Sequence, residues 1–254
     1  MKIPKSAFCM GHVSIDILVS RDMLNLIELG GSISSTDIKL APGGVAANVS
    51  YWLGKLGGIK TNFFGIVGKD FEADIIKNDL ESVGVNYILK TSEYPSALIL
   101  SVIEPNGERS FVINGKSQDD LFWEDLPLKQ IKESSIFYCS GYIIQRRPIK
   151  ETMKKLLKYL KQQDSLYPEI LFNLAAHTAI SGHREILKKF ILPYVDILIG
   201  NLEEYTTLLF QEMERSNVDK IVKKISDDFP NLKVILITDG PNGCYFSYNT
   251  CQTY

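Results

Sequence analysis

Thr61-Asn-Phe-Phe-Gly-Ile-Val67 is a short and mostly apolar run that leads, through Gly68-Lys-Asp70, into a segment with a different pattern. In that segment the apolar residues recur at Phe71, Ile75, Ile76, Leu80 and Val83. A short apolar run is typical of a strand covered on both faces, and recurrence every three to four residues is typical of an amphipathic helix. This stretch therefore predicts a strand followed directly by a helix.

The same alternation extends in both directions along the chain. Further short apolar runs predict strands at Ala7–Met10, Ile136–Cys139, Ile170–Asn173, Asp196–Gly200 and Lys233–Thr238. Helical spacing recurs within residues 149–160 and 218–229. Alternating strands and helices favour a parallel sheet with helices on both faces. We therefore predict an α/β fold class, with one domain over residues 1–254 built on a doubly wound, mostly parallel sheet flanked by helices.

Two regions, Ile15–Ala41 and Ala97–Ile113, contain β-like runs that no helix follows. The second region predicts a hairpin, because Pro105-Asn-Gly107 between two apolar runs suits a tight turn. We expect these strands to form a small sheet set apart from the main one. Periodicity alone also allows them to lie at an edge of the main sheet.

The composition excludes several classes of protein. The chain has 254 residues, 45% of them hydrophobic and 23% charged, which is typical of a globular protein, and its formal charge is −2. That charge gives no basic footprint for nucleic acid, and no apolar run approaches the ~20 residues of a membrane span. Cys9, Cys139, Cys244 and Cys251 lack metal-ligand spacing, and only three histidines are present. Together with the absence of a secretory signal, this favours a cytoplasmic protein with reduced thiols.

A pair of glycines, Gly43 and Gly44, lies within Ala41-Pro-Gly-Gly-Val-Ala-Ala-Asn48, just before a helical segment. Paired glycines allow backbone N–H groups to approach a ligand closely, or they can serve as a hinge. Asn48 then lies one turn inside the helix, where its amide can bond a hydroxyl group. Taken alone, the pair is also typical of an ordinary loop. It is not a phosphate-binding Walker loop, because no Gly-Lys-Ser/Thr follows.

Polar residues follow other predicted strands at the edge where parallel strands end and ligands bind. Asp16 comes shortly after the first strand, and its carboxylate can accept hydrogen bonds from vicinal hydroxyls or cap a turn. Asn201 and Glu204 open the helix after Asp196–Gly200. They suit a helix N-terminus, and they can equally face the crevice and act on a hydrated metal ion and phosphates.

A last motif, Thr238-Asp-Gly-Pro-Asn-Gly243, follows the final predicted strand. Its glycines, Gly240 and Gly243, permit a tight turn whose amides can cradle a phosphate. A plain β-turn is the alternative interpretation.

The order of these motifs resembles that of the PfkB family of carbohydrate and nucleoside kinases, and the resemblance runs across nearly all of the chain. The pieces that carry it are Asp16, Gly43–Asn48, the hairpin motif Gly107-Glu-Arg109, Asn201–Glu204 and Thr238–Gly243. Two further junctions resemble the same family: Gly65–Phe71, and Phe172–Ala176, which is similar to adenosine kinases.

The resemblance implies a ribokinase-like fold whose small sheet, drawn from residues 15–41 and 97–113, closes as a lid over the acceptor. It also implies ATP and Mg²⁺ as cofactors, a sugar or nucleoside acceptor, and a possible homodimer through the lid. The acceptor residues that it implies are Asp16, Gly43, Gly44 and Asn48.

On the nucleotide side, the resemblance implies that Asn201 and Glu204 organise magnesium-bound water and the transferred phosphate, with Glu204 holding the metal through water. Thr238, Gly240 and Gly243 then contact ATP. In this family the catalytic base belongs to a Gly-Ala-Gly-Asp stretch, and that stretch does not occur in the chain. We therefore expect the base beyond Tyr254, and a domain without its C-terminal part.

Several functions remain open on the sequence. Gly43–Asn48 and the hairpin at 106–109 favour a sugar kinase, whereas Asn173–Ala176 and Pro193–Leu198 favour a nucleoside kinase. A protein of another class, which binds a sugar or nucleoside without phosphorylating it, is compatible with the missing Gly-Ala-Gly-Asp. A dinucleotide-binding protein is a weak alternative, because no G-x-G-x-x-G follows the first strand.

Overall fold

A computed structural model describes residues 4–22, 31, 38–162, 167–210 and 218–248. The strands are β1 (Ser6–Met10), β2 (Ser14–Ser20), β3 (Lys39–Gly43), β4 (Lys60–Val67), β5 (Asn86–Thr91), β6 (Ala97–Ile103), β7 (Arg109–Asn114), β8 (Ile136–Ser140), β9 (Glu169–Asn173), β10 (Ile197–Asn201), β11 (Val234–Thr238) and β12 (Cys244–Tyr248). The helices are α1 (Val45–Leu56), α2 (Phe71–Ser82), α3 (Leu128–Lys132), α4 (Ile149–Lys161), α5 (His177–Ser181), α6 (Arg184–Ile186), α7 (Leu202–Leu209) and α8 (Val218–Asp228). Short 3₁₀ turns include Lys116–Asp119, Gly141–Ile144 and Gly240–Asn242.

The main sheet has the strand order β12-β11-β10-β9-β8-β1-β4-β5 in the described part of the chain. All neighbouring strands are parallel except β12, which pairs antiparallel with β11. Alternate side chains of β1 enter different cores: Phe8 and Met10 pack in one, and Cys9 packs in the other. Both faces of the central strands are therefore covered, which explains why they form continuous apolar runs.

The small sheet is separate from the main one, with the order β3-β2-β6-β7, so the expectation of a second sheet is confirmed. Its hairpin turns where Glu104 N–H bonds the carbonyl of Glu108 at 2.8 Å, and Gly107 has a positive φ of 87°. Arg21 ties the hairpin to β2 through an ion pair with Glu104 at 2.9 Å. Residues 23–30 and 32–37 of the predicted lid region lie outside the described residues.

Each strand predicted for the main sheet is present, with its bounds shifted by at most one residue. Two strands of that sheet, β5 and β12, were not predicted. Both lie at its edges, where most residues are exposed or partly buried, so they lack the continuous apolar run that indicates a central strand. Within the described ranges, no helix is both long and apolar enough to cross a membrane.

Candidate active site

Asp16 and Gly43 meet where β2 pairs with β3. A Cβ atom placed on Gly43 would lie only 2.6 Å from Asp16 Oδ1, so the carboxylate packs directly against the glycine backbone. The Ser14 hydroxyl donates a hydrogen bond to the same oxygen at 2.9 Å. Burial raises the pKa of Asp16, while the Ser14 hydrogen bond and the positive charge of Arg109 act in the opposite direction. The site therefore holds a half-buried carboxylate, and further hydrogen-bond donors would stabilise its charged form.

Gly44 fits its position only because it has no side chain. Its φ is +93°, and a Cβ atom there would lie 2.5 Å from the His12 carbonyl oxygen and 2.5 Å from Val13 Cα. The backbone of Gly44 thus packs on the loop that joins β1 to β2. Asn48 lies one turn into α1, as predicted, and its side chain is exposed. Asp16, Gly43 and Gly44 therefore share one corner, and Asn48 faces solvent near it.

Asn201 and Glu204 form a reciprocal cap at the start of α7. Asn201 Oδ1 accepts a hydrogen bond from the Glu204 N–H at 2.8 Å, and Glu204 Oε2 accepts one from the Asn201 N–H at 2.8 Å. Asn201 Nδ2 also donates to Glu204 Oε1 at 3.3 Å. Burial raises the pKa of Glu204, although the hydrogen bond from Asn201 opposes this rise. The structural interpretation of this motif is confirmed, and it holds a buried carboxylate at the sheet edge.

A cleft of about 370 Å³ opens beside this cap. It is lined by Asn201, Leu202, Glu203, Thr206, Thr238, Asp239 and Gly240. Asn201 and Thr238 are paired at the ends of β10 and β11, so two of the predicted nucleotide residues lie side by side. Gly243 does not line the cleft. It closes the turn with a φ of 98°, and its N–H bonds the Gly240 carbonyl at 3.2 Å.

Close backbone contacts connect the two groups of residues. A Cβ on Gly141 would lie 2.3 Å from the Leu174 carbonyl oxygen, and one on Gly200 would lie 2.8 Å from Leu174 Cδ1 and 2.9 Å from Glu204 Oε2. A Cβ on Gly11 would lie 3.7 Å from Ile143 Cγ2, which joins the first strand end to the turn Gly141–Ile144. The strand ends thus form one continuous edge from the Asp16 corner to the Glu204 cleft.

Sequence reasoning missed several residues at this edge. The His12 and Tyr142 rings stack with centroids 5.8 Å apart, and no local pattern signals a contact between residues 130 positions apart in the sequence. Thr206 and Asp239 line the cleft. Thr206 lies one helical turn beyond Leu202, so it could have been inferred once Asn201 was taken as the cap.

Among the described residues, no cluster of three or more His, Cys, Asp or Glu side chains is arranged to hold a metal ion. The acidic groups nearest to the cleft are Glu203 and Asp239, which line it, and Glu204, which lies in the cap beside it. His177 Nδ1 lies 3.5 Å from Glu203 Oε1.

Solved small-molecule kinases share this architecture. The probable sugar kinase from Rhizobium etli CFN 42 matches with a TM-score of 0.82 and 21% identity, over 99% of this chain and 79% of that one. Adenosine kinase from Sinorhizobium meliloti matches with a TM-score of 0.81 and 19% identity, over 98% of this chain and 79% of that one. At these identities the likeness establishes the fold, which is the ribokinase-like α/β fold.

The sequence comparisons establish the family. Probable fructokinase-7 of Arabidopsis thaliana is 26% identical over 247 residues, which is 94% of this chain and 68% of the relative. The model of the pfkB family of carbohydrate kinases matches residues 5–254. The chain belongs to that family, whose sugar kinases are ATP-dependent phosphotransferases.

Proposed function

We propose that this protein serves in the ATP-dependent phosphorylation of a sugar hydroxyl. The observation that carries the proposal is the packing of the Asp16 carboxylate on Gly43, in a corner that is joined along one sheet edge to the cleft at Asn201 and Thr238. Similarity to fructokinases favours a sugar as the acceptor. An acceptor and a nucleotide bound at these two places would meet near the Glu204 cap.

The acceptor subsite in this proposal consists of Asp16, Gly43, Gly44 and Asn48. Asp16 accepts hydrogen bonds from neighbouring sugar hydroxyls, which compensates the burial of its charge. Gly43 and Gly44 bring backbone close to the ring, since neither has a side chain that would cover it. The exposed Asn48 amide is free to bond another hydroxyl.

The nucleotide subsite consists of Asn201, Thr238 and Gly240 in the cleft, with Glu204 beside them and Gly243 holding the turn. The cleft fits a phosphate chain because it combines an amide, a hydroxyl and a glycine turn beside the N-terminus of α7. Mg²⁺ bound with ATP would neutralise phosphate charge, and Glu204 would hold its water shell. No residue of the chain is assigned as the base.

The small sheet acts as the lid in this proposal. It carries Asp16 on one face, so closing the sheet over the acceptor would exclude water from the reacting groups. On the opposite face, the pairing of the strands aligns Leu40, Ile17, Leu100 and Val112 in one row. Leu40 and Val112 are 62% and 66% exposed. We assign this apolar row to a homodimer contact. The cytoplasmic location of the protein stays a prediction.

The experiment is ADP release by the purified chain with ATP and Mg²⁺, against fructose, ribose and adenosine. Release that depends on fructose or another sugar would support the proposal, and it would also show that the chain supplies a base to which no residue is assigned above. Release with adenosine alone would instead favour the nucleoside kinase, which the similarity to an adenosine kinase of Arabidopsis thaliana keeps as the second candidate. Thermal stabilisation by an acceptor without ADP release would indicate a chain that binds the acceptor but lacks a group needed to phosphorylate it.

A further inference from the structure

His12 is held rigidly at the centre of the sheet edge. Its carbonyl accepts the Ala47 N–H at 3.4 Å, and the backbone of Gly44 packs against it. The next residue, Val13, donates its N–H to Gln118 Oε1 at 2.9 Å. The backbone of His12 is therefore clamped between the glycine pair of the acceptor subsite and the loop that carries Gln118.

One nitrogen of the His12 imidazole forms no hydrogen bond with the described residues. Its Nε2 atom is buried and meets no hydrogen-bond partner among the residues that the structure describes. Only three buried side-chain atoms in the described ranges lack a partner, and a second one, Ser140 Oγ, ends the strand next to β1. Two of the three thus lie at the same strand ends. A buried polar atom without a partner costs free energy, and in a native protein it calls for a ligand or water.

Tyr142 connects His12 to the phosphate side. The two rings stack at 5.8 Å with an angle of 29° between their planes. Burial raises the pKa of Tyr142, and the negative charge of Glu204 raises it further. The phenol therefore lies within electrostatic reach of the Glu204 cap. The pair therefore spans the interval between the Gly44 corner and Glu204, where an acceptor hydroxyl must lie to meet the phosphate.

The imidazole is neutral, because burial and the nearby positive charge of Arg146 lower the pKa of His12 to about 4. Arg146 itself is paired with Asp119 at 3.3 Å. A neutral imidazole has one N–H donor and one acceptor nitrogen, so it can bond a hydroxyl in either sense. Because Nε2 is buried, contact with a ligand requires the ring to turn about χ2, a torsion that is broad for histidine.

We propose that His12 and Tyr142 belong to the acceptor subsite, where His12 Nε2 bonds an acceptor hydroxyl and the Tyr142 ring packs on the apolar face of the sugar ring. The inference rests on the proposed function and deepens it. A subsite with these two side chains would prefer polyols that present a hydroxyl and a C–H face on the same side. Stacking on an aromatic ring and one hydrogen bond together distinguish such a ligand from a simple alcohol.

The test uses His12→Phe, which keeps the ring and deletes both nitrogens, with His12→Gln as the conservative variant. His183→Gln is the matched control, because His183 bonds the Ala179 carbonyl at 3.1 Å at the end of α5 and touches neither subsite. Calorimetry measures the Kd of fructose, ribose and adenosine, and separately that of ATP with Mg²⁺. Thermal unfolding is followed for every variant.

We expect His12→Phe to raise the acceptor Kd about tenfold or more and to change the ATP Kd by less than about twofold. Its unfolding midpoint should not fall below that of the parent chain, because the substitution removes an unpartnered buried nitrogen. His12→Gln should recover part of the affinity. A purely structural histidine would instead lower the midpoint and leave the acceptor Kd unchanged.

Binding by the parent chain and by His12→Phe separates the role of His12 from the proposed function. If the parent chain binds an acceptor and His12→Phe binds it equally well, the inference is wrong and the proposed function stands. If the parent chain binds none of the three acceptors, the proposed function fails, and the inference fails with it.

Discussion

Asn201 and Glu204 cap each other: each side chain accepts the backbone N–H of the other residue at 2.8 Å. This pairing satisfies a free N–H of the first turn of α7 and aims the Glu204 carboxylate back along the sheet edge. The Asn201–Glu204 motif, which we propose for the phosphate site, is thus also the cap at which α7 begins. Stability and nucleotide binding at Asn201 are therefore separable only by choosing the substitution with care.

Asn201→Ala removes the acceptor for the Glu204 N–H and should lower the free energy of unfolding by about 1 kcal/mol. Asn201→Ser keeps a capping oxygen and should stay within about 0.5 kcal/mol of the parent chain. Both variants lose the amide that lines the cleft, so both should bind ATP more weakly. Chemical denaturation and ATP titration measure the two effects. Unchanged ATP binding in both variants would remove Asn201 from the nucleotide subsite.

Gly44→Ala should be far more destabilising than Gly58→Ala. Both glycines have a positive φ, 93° and 82°, so the conformational strain of alanine applies at each. Only Gly44 is crowded, whereas nothing lies within 4 Å of a Cβ on Gly58. We expect a loss of about 1 kcal/mol for Gly58→Ala and about 3 kcal/mol or more for Gly44→Ala, measured by urea denaturation. Equal losses would show that the loop of His12 gives way.

His12 should make the protein less stable as the pH falls. Its pKa is lowered to about 4 in the folded state, against an ordinary value near 6.5, mainly by burial. Between these values the unfolded chain binds more protons than the folded one, so stability rises with pH and is lost as the pH drops below the ordinary value. His12→Phe should flatten the stability difference between pH 7 and pH 5. An equally steep profile in that variant would mean that His12 is not buried in its neutral form.

The outer row of the small sheet should control association. Val112→Asp places a charge in the row that contains Leu40, while leaving the face that bears Asp16 unchanged. Leu56→Asp is the control, since Leu56 is 78% exposed at the end of α1 and lies outside the row. We expect sedimentation to show a dimer for the parent chain and for Leu56→Asp, and a monomer for Val112→Asp. A parent chain that stays monomeric at high concentration would exclude the assigned contact.

The predictable part of the fold is the part governed by burial on two faces. A strand such as Thr61–Val67 can be predicted because all of its residues but Asn62 are buried. Asn86–Thr91 cannot, because it lies at the edge of the sheet and none of its residues is buried. The Asn201 cap could also be predicted from the sequence, since a capping box extends over only four residues. The His12–Tyr142 stack could not, because it depends on which strand ends the sheet order brings together. Local patterns carry no information about that order.

The central claim is that Asp16 serves the acceptor and the cleft at Thr238 serves the nucleotide, and thermal stabilisation by each ligand alone tests it most directly. Asp16→Asn keeps the shape of the side chain and removes its charge, and Thr238→Val deletes the hydroxyl in the cleft. The account predicts that Asp16→Asn loses stabilisation by fructose and keeps that by ATP with Mg²⁺, and that Thr238→Val does the reverse. Stabilisation by fructose that survives Asp16→Asn, or loss of both responses in either variant, would contradict it.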